Sequence, residues 1–155
     1  PEGKPLYLGA GPFEGRIGRF PSLPPSVYKS TDHAQTWTPC GKGLPEGTLI
    51  YDMAVHPRSP QKVFLGTSQG VYRSTDGGAT WLHEEAGLSA SFKALTVQLI
   101  PGQTKDQELL YTAGPHGIFM TTNSKDTRWI GAGYGLPPTT ITDVHMTPYK
   151  LEPLQ

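Results

Sequence analysis

Apolar positions along this chain fall in short runs of β-branched and aromatic residues, and no helical period of useful length appears. In the middle of the chain, Ile50 to His56, Val63 to Gly66, Gly70 to Ser74 and Thr80 to Glu84 read as four successive strands. Gly, Pro, Asn and Asp punctuate the gaps between them, as turns require. The pattern predicts an all-β chain.

The pattern repeats. Ser30-Thr31-Asp32-His33-Ala34-Gln35-Thr36-Trp37 returns 44 residues later as Ser74-Thr75-Asp76-Gly77-Gly78-Ala79-Thr80-Trp81. A degraded third copy, Thr122 to Trp129, lies 48 residues further on. Gly43-Leu44-Pro45, Gly87-Leu88-Ser89 and Gly135-Leu136-Pro137 keep the same two offsets. His56-Pro57 is followed by Ile100-Pro101 and Thr147-Pro148, and Val27-Tyr28, Val71-Tyr72 and Ile118-Phe119 lead into the three boxes. A period of about 40–50 residues with four strands per unit marks the blade of a β-propeller.

Turn physics accounts for the box. It falls in the hairpin between the third and fourth strands, where Asp76 folds back to accept amides of its own turn. Gly77 and Gly78 permit positive φ. Ser74 and Thr80 are placed to bond across the hairpin mouth, and Trp81 leaves the turn to pack between blades. On this account Ser30, Asp32, Thr36, Trp37, Ser74, Asp76, Gly78, Thr80, Trp81 and Trp129 are structural. These residues resemble the Asp-box, or bacterial neuraminidase repeat, S-x-D-x-G-x-T-W. Asp76, Gly78, Thr80 and Trp81 match it fully, whereas the first copy has Ala34 for the glycine and the third keeps only Thr122 and Trp129. The resemblance covers nearly the whole chain. It implies the fold shared by sialidases, xyloglucan-active glycosidases, sortilin-type receptors and photosystem II assembly factors, and it implies export, without fixing an activity.

Composition agrees with many turns. Gly and Pro supply 19 and 16 of 155 residues, a fraction found in disordered chains or in turn-rich β domains. Three Trp, seven Tyr and five Phe favour the folded option. Thirteen basic residues balance thirteen acidic ones, so nothing favours a nucleic acid or an anionic membrane as partner. The single cysteine, Cys40, excludes an internal disulfide framework, and no stretch reaches the roughly 20 apolar residues of a membrane span.

Counting strands leaves both ends open. Within residues 1–155, blade I (6–40) lacks an innermost strand, blade II (49–86) and blade III (92–132) carry four strands each, and 141–148 reads as an innermost strand without a blade after it. Leu6-Tyr7-Leu8-Gly9 aligns with Val63-Phe64-Leu65-Gly66, a second strand. Propellers hold about four to eight blades, so two outcomes are expected. Either the chain is a piece of a longer propeller, an expectation that Pro1 in place of Met supports, or two copies close one ring.

Candidate chemistry is sparse. The loop between Gly9 and Val27 is long and carries Phe13, Arg16, Arg19 and Phe20, residue types typical of protein interfaces. A partner protein docked there is the leading reading, and it makes the chain a non-catalytic scaffold, an accessory or assembly subunit of an extracytoplasmic or membrane-associated complex. Asp52 and Asp143 share one place at the start of an innermost strand. A pair of carboxylates is the minimum for glycoside hydrolysis, so a glycoside hydrolase using these two, with Tyr51 and Tyr134 as sugar platforms, is the alternative. A carbohydrate-binding module is a third class. The simpler account of both aspartates is that they cap strands or satisfy loop amides. The F-R-I-P motif of sialidases is absent, and Gly18-Arg19-Phe20-Pro21 does not match it. His33, His56, His83, His116 and His145 show no ligand spacing, so neither a metal nor a cofactor is expected. Glu84-Glu85 reads as a solvated pair at a strand end.

Overall fold

The computed structural model describes residues 4–9, 27–101, 108–122, 128–136 and 141. Eleven strands form three antiparallel sheets, with no helix among the described residues. The first sheet runs β1 (Leu6–Gly9), β2 (Val27–Ser30), β3 (Thr38–Pro39). The second runs β4 (Ile50–Val55), β5 (Val63–Thr67), β6 (Gly70–Ser74), β7 (Leu82–His83). The third runs β8 (Thr96–Pro101), β9 (Glu108–Gly114), β10 (Gly117–Thr122), β11 (Ile130–Gly131). Each is a meander of sequential neighbours, as short turn-separated strands dictate. All three are the blades the repeat predicts.

The registers superpose the three sheets residue by residue. Val63 faces Ser74 and Leu65 faces Tyr72, just as Leu6 faces Ser30 and Leu8 faces Tyr28. In the third sheet Leu110 faces Thr121 and Thr112 faces Phe119. This register corrects the third box. Thr121, not Thr122, stands where Ser74 stands, and the longer offset of Trp129 is absorbed between the two, in a stretch that includes 123–127, outside the described residues. The fourth strand is also shorter than its pattern suggests. Thr80 and Trp81 still belong to the turn, and only Leu82 and His83 pair with β6.

Two apolar seams hold the sheets together. Between the first and second lie Val27, Ile50, Val63, Leu65, Tyr72 and Trp81. Between the second and third lie Phe64, Val71, Phe92, Ala94, Val97, Leu110 and Trp129. Strand β5 therefore sends alternate residues to opposite seams and is buried along its whole length. Trp81 and Trp129 are 3% and 2% exposed, so each is a major anchor of its seam.

Candidate functional site

The box turns are built alike in the first two sheets. Ser74 Oγ donates to Asp76 Oδ1 at 2.8 Å and accepts the Gly78 amide at 2.8 Å. Asp76 Oδ1 accepts the Thr80 amide at 2.9 Å, and Oδ2 accepts the Thr80 hydroxyl. Ser30, Asp32, Ala34 and Thr36 repeat the same set of bonds. Both hydroxyls therefore turn to the carboxylate rather than to each other across the hairpin mouth. The Thr80 hydroxyl and amide, with Ser74, hold the Asp76 carboxyl at a pKa of about 2, and Thr36 and Ser30 do the same for Asp32. A carboxylate so fixed serves the turn and is poorly suited to proton transfer near neutral pH.

One difference between the turns is informative. Gly77 and Gly78 sit at φ of 70° and 84°, while His33 and Ala34 hold the same places at 58° and 66°. The left-handed backbone survives the loss of both glycines because the Ser30 and Asp32 bonds impose it. Around Gly78 a β-carbon would lie 3.2 Å from the Tyr7 ring and 3.5 Å from Cys40 Sγ, so the neighbouring sheet closes over it. Ala34 is exposed.

Asp52 is engaged in structure. Its Oδ1 accepts the Met53 amide at 2.8 Å, and its Oδ2 accepts both the Thr96 hydroxyl and the Val97 amide at 2.8 Å. The side chain thus straps the innermost strand of the second sheet to that of the third. Asp143 lies outside the described residues, as do Phe13, Arg16, Arg19 and Phe20. Tyr51 and Tyr134 are exposed. His116 is exposed in the β9–β10 turn.

Sequence reasoning missed two buried charged groups. Glu84 is not solvated: it lies in the second seam with its Oε1 2.6 Å from Arg73 Nε, and only Glu85 is at the surface. Glu108 is 4% exposed, with Oε1 3.0 Å from Lys62 Nζ and Oε2 3.4 Å from His56 Nε2. His56 Nδ1 accepts the Arg58 amide. Its Nε2 and Glu108 Oε2 are both buried and share no hydrogen bond, so the compensation of Glu108 comes from Lys62. The signal available in sequence was the break in the repeat, since the place of His56 is taken in the third sheet by Ile100. Two open hollows of about 230 and 290 Å³ flank the first seam, but Lys29, common to both, donates to the Gly77 carbonyl at 2.9 Å. No group of three or more His, Cys, Asp or Glu that could hold a metal occurs among the described residues.

A crystal structure of an ancestral GH74 enzyme, a β-propeller glycoside hydrolase, is similar to this chain, with a TM-score of 0.52 and 20% identity over 67% of the chain. The fold is that of β-propeller blades. The chain spans only 15% of the length of that enzyme, and at this identity the likeness concerns the fold alone. No family model matches the sequence, and no curated protein matches it. The blade assignment explains the geometry above: the middle sheet carries a seam on each face, and the first and third sheets each share one seam with it.

Proposed function

We propose that the chain is a segment of an Asp-box β-propeller that serves as a non-catalytic protein-interaction scaffold, an accessory or assembly subunit of an extracytoplasmic or membrane-associated complex. The observation that carries this reading is the employment of its carboxylates. Asp32 and Asp76 close turns, Asp52 straps two strands, and Glu84 and Glu108 are paired inside the second seam. Glu46 and Glu85, at the surface, complete the acidic residues described, and none of the seven forms a free facing pair of the kind glycoside hydrolysis requires. The blades instead form a rigid frame for loops, and the Phe13, Arg16, Arg19 and Phe20 loop is the segment with interface chemistry. Proximity labelling in the native cell, with the probe fused to this chain, tests the reading. Recovery of one stable partner whose binding is lost in the Arg16→Ala/Arg19→Ala variant supports it. Partner capture unchanged by that variant contradicts it.

The second reading, a glycoside hydrolase using Asp52 and Asp143 or a carbohydrate-binding module, draws on the class of the similar enzyme. A polysaccharide panel decides it. Turnover abolished by Asp52→Asn in a folded variant would replace the scaffold reading.

A further inference from the structure

We propose that the seam between the second and third sheets holds a binding site for one water molecule, which bridges Arg73 of the second blade to Glu108 and Trp129 of the third. The inference concerns how consecutive blades are joined and does not depend on the scaffold reading.

Three stranded polar atoms point to the site. Arg73 Nε, Glu108 Oε2 and Trp129 Nε1 are buried and make no hydrogen bond. The charges themselves are compensated. Arg73 Nε lies 2.6 Å from Glu84 Oε1, an ion pair without an aligned hydrogen bond, and Glu108 holds Lys62 through its other oxygen. Two donors and one acceptor are nevertheless left over inside one seam. Each gave up solvent on burial, and leaving all three unsatisfied is costly.

The same three residues line one hollow. Arg73 and Glu84 approach it from the second blade, Glu108 and Trp129 from the third, with Phe64 and Leu110 among its apolar walls. It leaves about 10 Å³ for the centre of a water-sized sphere, which is room for one water and nothing larger.

Charge and valence select the ligand. Two carboxylates at the hollow oppose an anion, and Arg73, with Lys62 beside Glu108, opposes a metal cation. A small neutral molecule that both donates and accepts remains. Water accepts from the Arg73 Nε–H and the Trp129 Nε1–H and donates to Glu108 Oε2. That makes three bonds, close to the usual number of about three for an internal water.

The first seam is the built-in comparison. Trp81 stands there as Trp129 stands in the second, and its Nε1 donates directly to the Cys40 carbonyl at 2.6 Å. Trp129 makes no such bond, and the hollow lies beside it. One seam is thus joined at its indole by protein alone, the other through water. The bridged bond stabilises less than the direct one, since the water loses freedom on binding.

Water-selective NOE and ROE spectra of the 155-residue chain, read at isotopically labelled indoles, test this. The expected result is a cross-peak between water and the Trp129 indole proton, of opposite sign in the two experiments, as a water held longer than the tumbling time gives. Trp81 should show none. Glu108→Leu removes the acceptor and should abolish the peak, whereas Glu108→Gln keeps an acceptor oxygen and should retain it. Should Glu108→Leu fail to fold, the wild-type and Glu108→Gln spectra decide alone. The proposal is overturned by no peak at Trp129, by a peak of equal sign in both experiments, which is exchange with bulk solvent, or by a matching peak at Trp81. A folded Glu108→Leu that keeps the peak, or a Glu108→Gln that loses it, overturns it as well.

Discussion

Gly43 lies directly beneath Trp81. A β-carbon on the glycine would fall 2.4 Å from the tryptophan carbonyl, and the Trp81 amide bonds to the carbonyl of Lys42 next to it. Gly87 and Trp129 repeat the arrangement. Each seam is thus locked at one point by backbone against backbone, where only glycine fits. Gly87→Ala is expected to cost about 2 kcal/mol more than Gly135→Ala in chemical unfolding at concentrations where the chain is monomeric, since the first adds overpacking to the left-handed penalty that both incur. Equal costs would mean that the Gly87 contact does not exist in solution.

The turn of the first sheet holds two left-handed residues that are not glycine, His33 and Ala34. Ala34→Gly should stabilise the chain by about 1 kcal/mol, because the penalty of a β-carbon at positive φ disappears. Gly78→Ala should do the reverse and cost more than that gain, since Tyr7 and Cys40 crowd the site. Thermal melts of both variants check the pair of signs.

The two buried indoles differ in one bond. Trp81 Nε1 donates to the Cys40 carbonyl at 2.6 Å, while Trp129 Nε1 is buried and finds no acceptor among the described residues. Replacing an indole by a phenyl ring removes similar apolar contact at both places but a direct hydrogen bond at only one. Trp81→Phe is therefore expected to destabilise by about 1 kcal/mol more than Trp129→Phe. Denaturant midpoints of the two variants measure the difference.

Acid should loosen the turns before the seams. The folded carboxyls of Asp32 and Asp76 titrate near 2, against an ordinary value of 3.8. The folded value is the lower one, so their contribution is complete above the ordinary value and is lost as pH falls through 3.8 to about 2. Melting temperature should fall over that window, and Asp76→Asn should flatten the fall while lowering stability at neutral pH. A melting temperature insensitive to acid would refute the role given to the carboxylates.

Strand order, period and the seam positions of Trp81 and Trp129 were legible in the sequence because each is written in local pattern: β-branched runs, turn residues at fixed offsets and an aromatic after every box. The lengths of the last strands were less legible, since Thr80 looks like a strand residue but its hydroxyl is taken by Asp76. The buried pairs Arg73–Glu84 and Lys62–Glu108 escaped notice because charge is read as solvated unless a distant partner is known. Pairing of β6 with β7 brings Glu84 to Arg73, and only the stacking of the second and third sheets brings Lys62 to Glu108. Asp52 could be placed at the start of its strand, but its hold on Thr96 and Val97 crosses between blades, and no spacing rule encodes that.

Backbone amide hydrogen exchange read at Trp81 and Trp129 tests the stack most directly. Both amides lie in turns, outside any strand, and only a bond to the preceding blade protects them. Exchange as slow as that of the β5 and β9 amides is the predicted result. Exchange at the rate of an open turn, with the sheets themselves protected, would show three sheets that do not pack as consecutive blades.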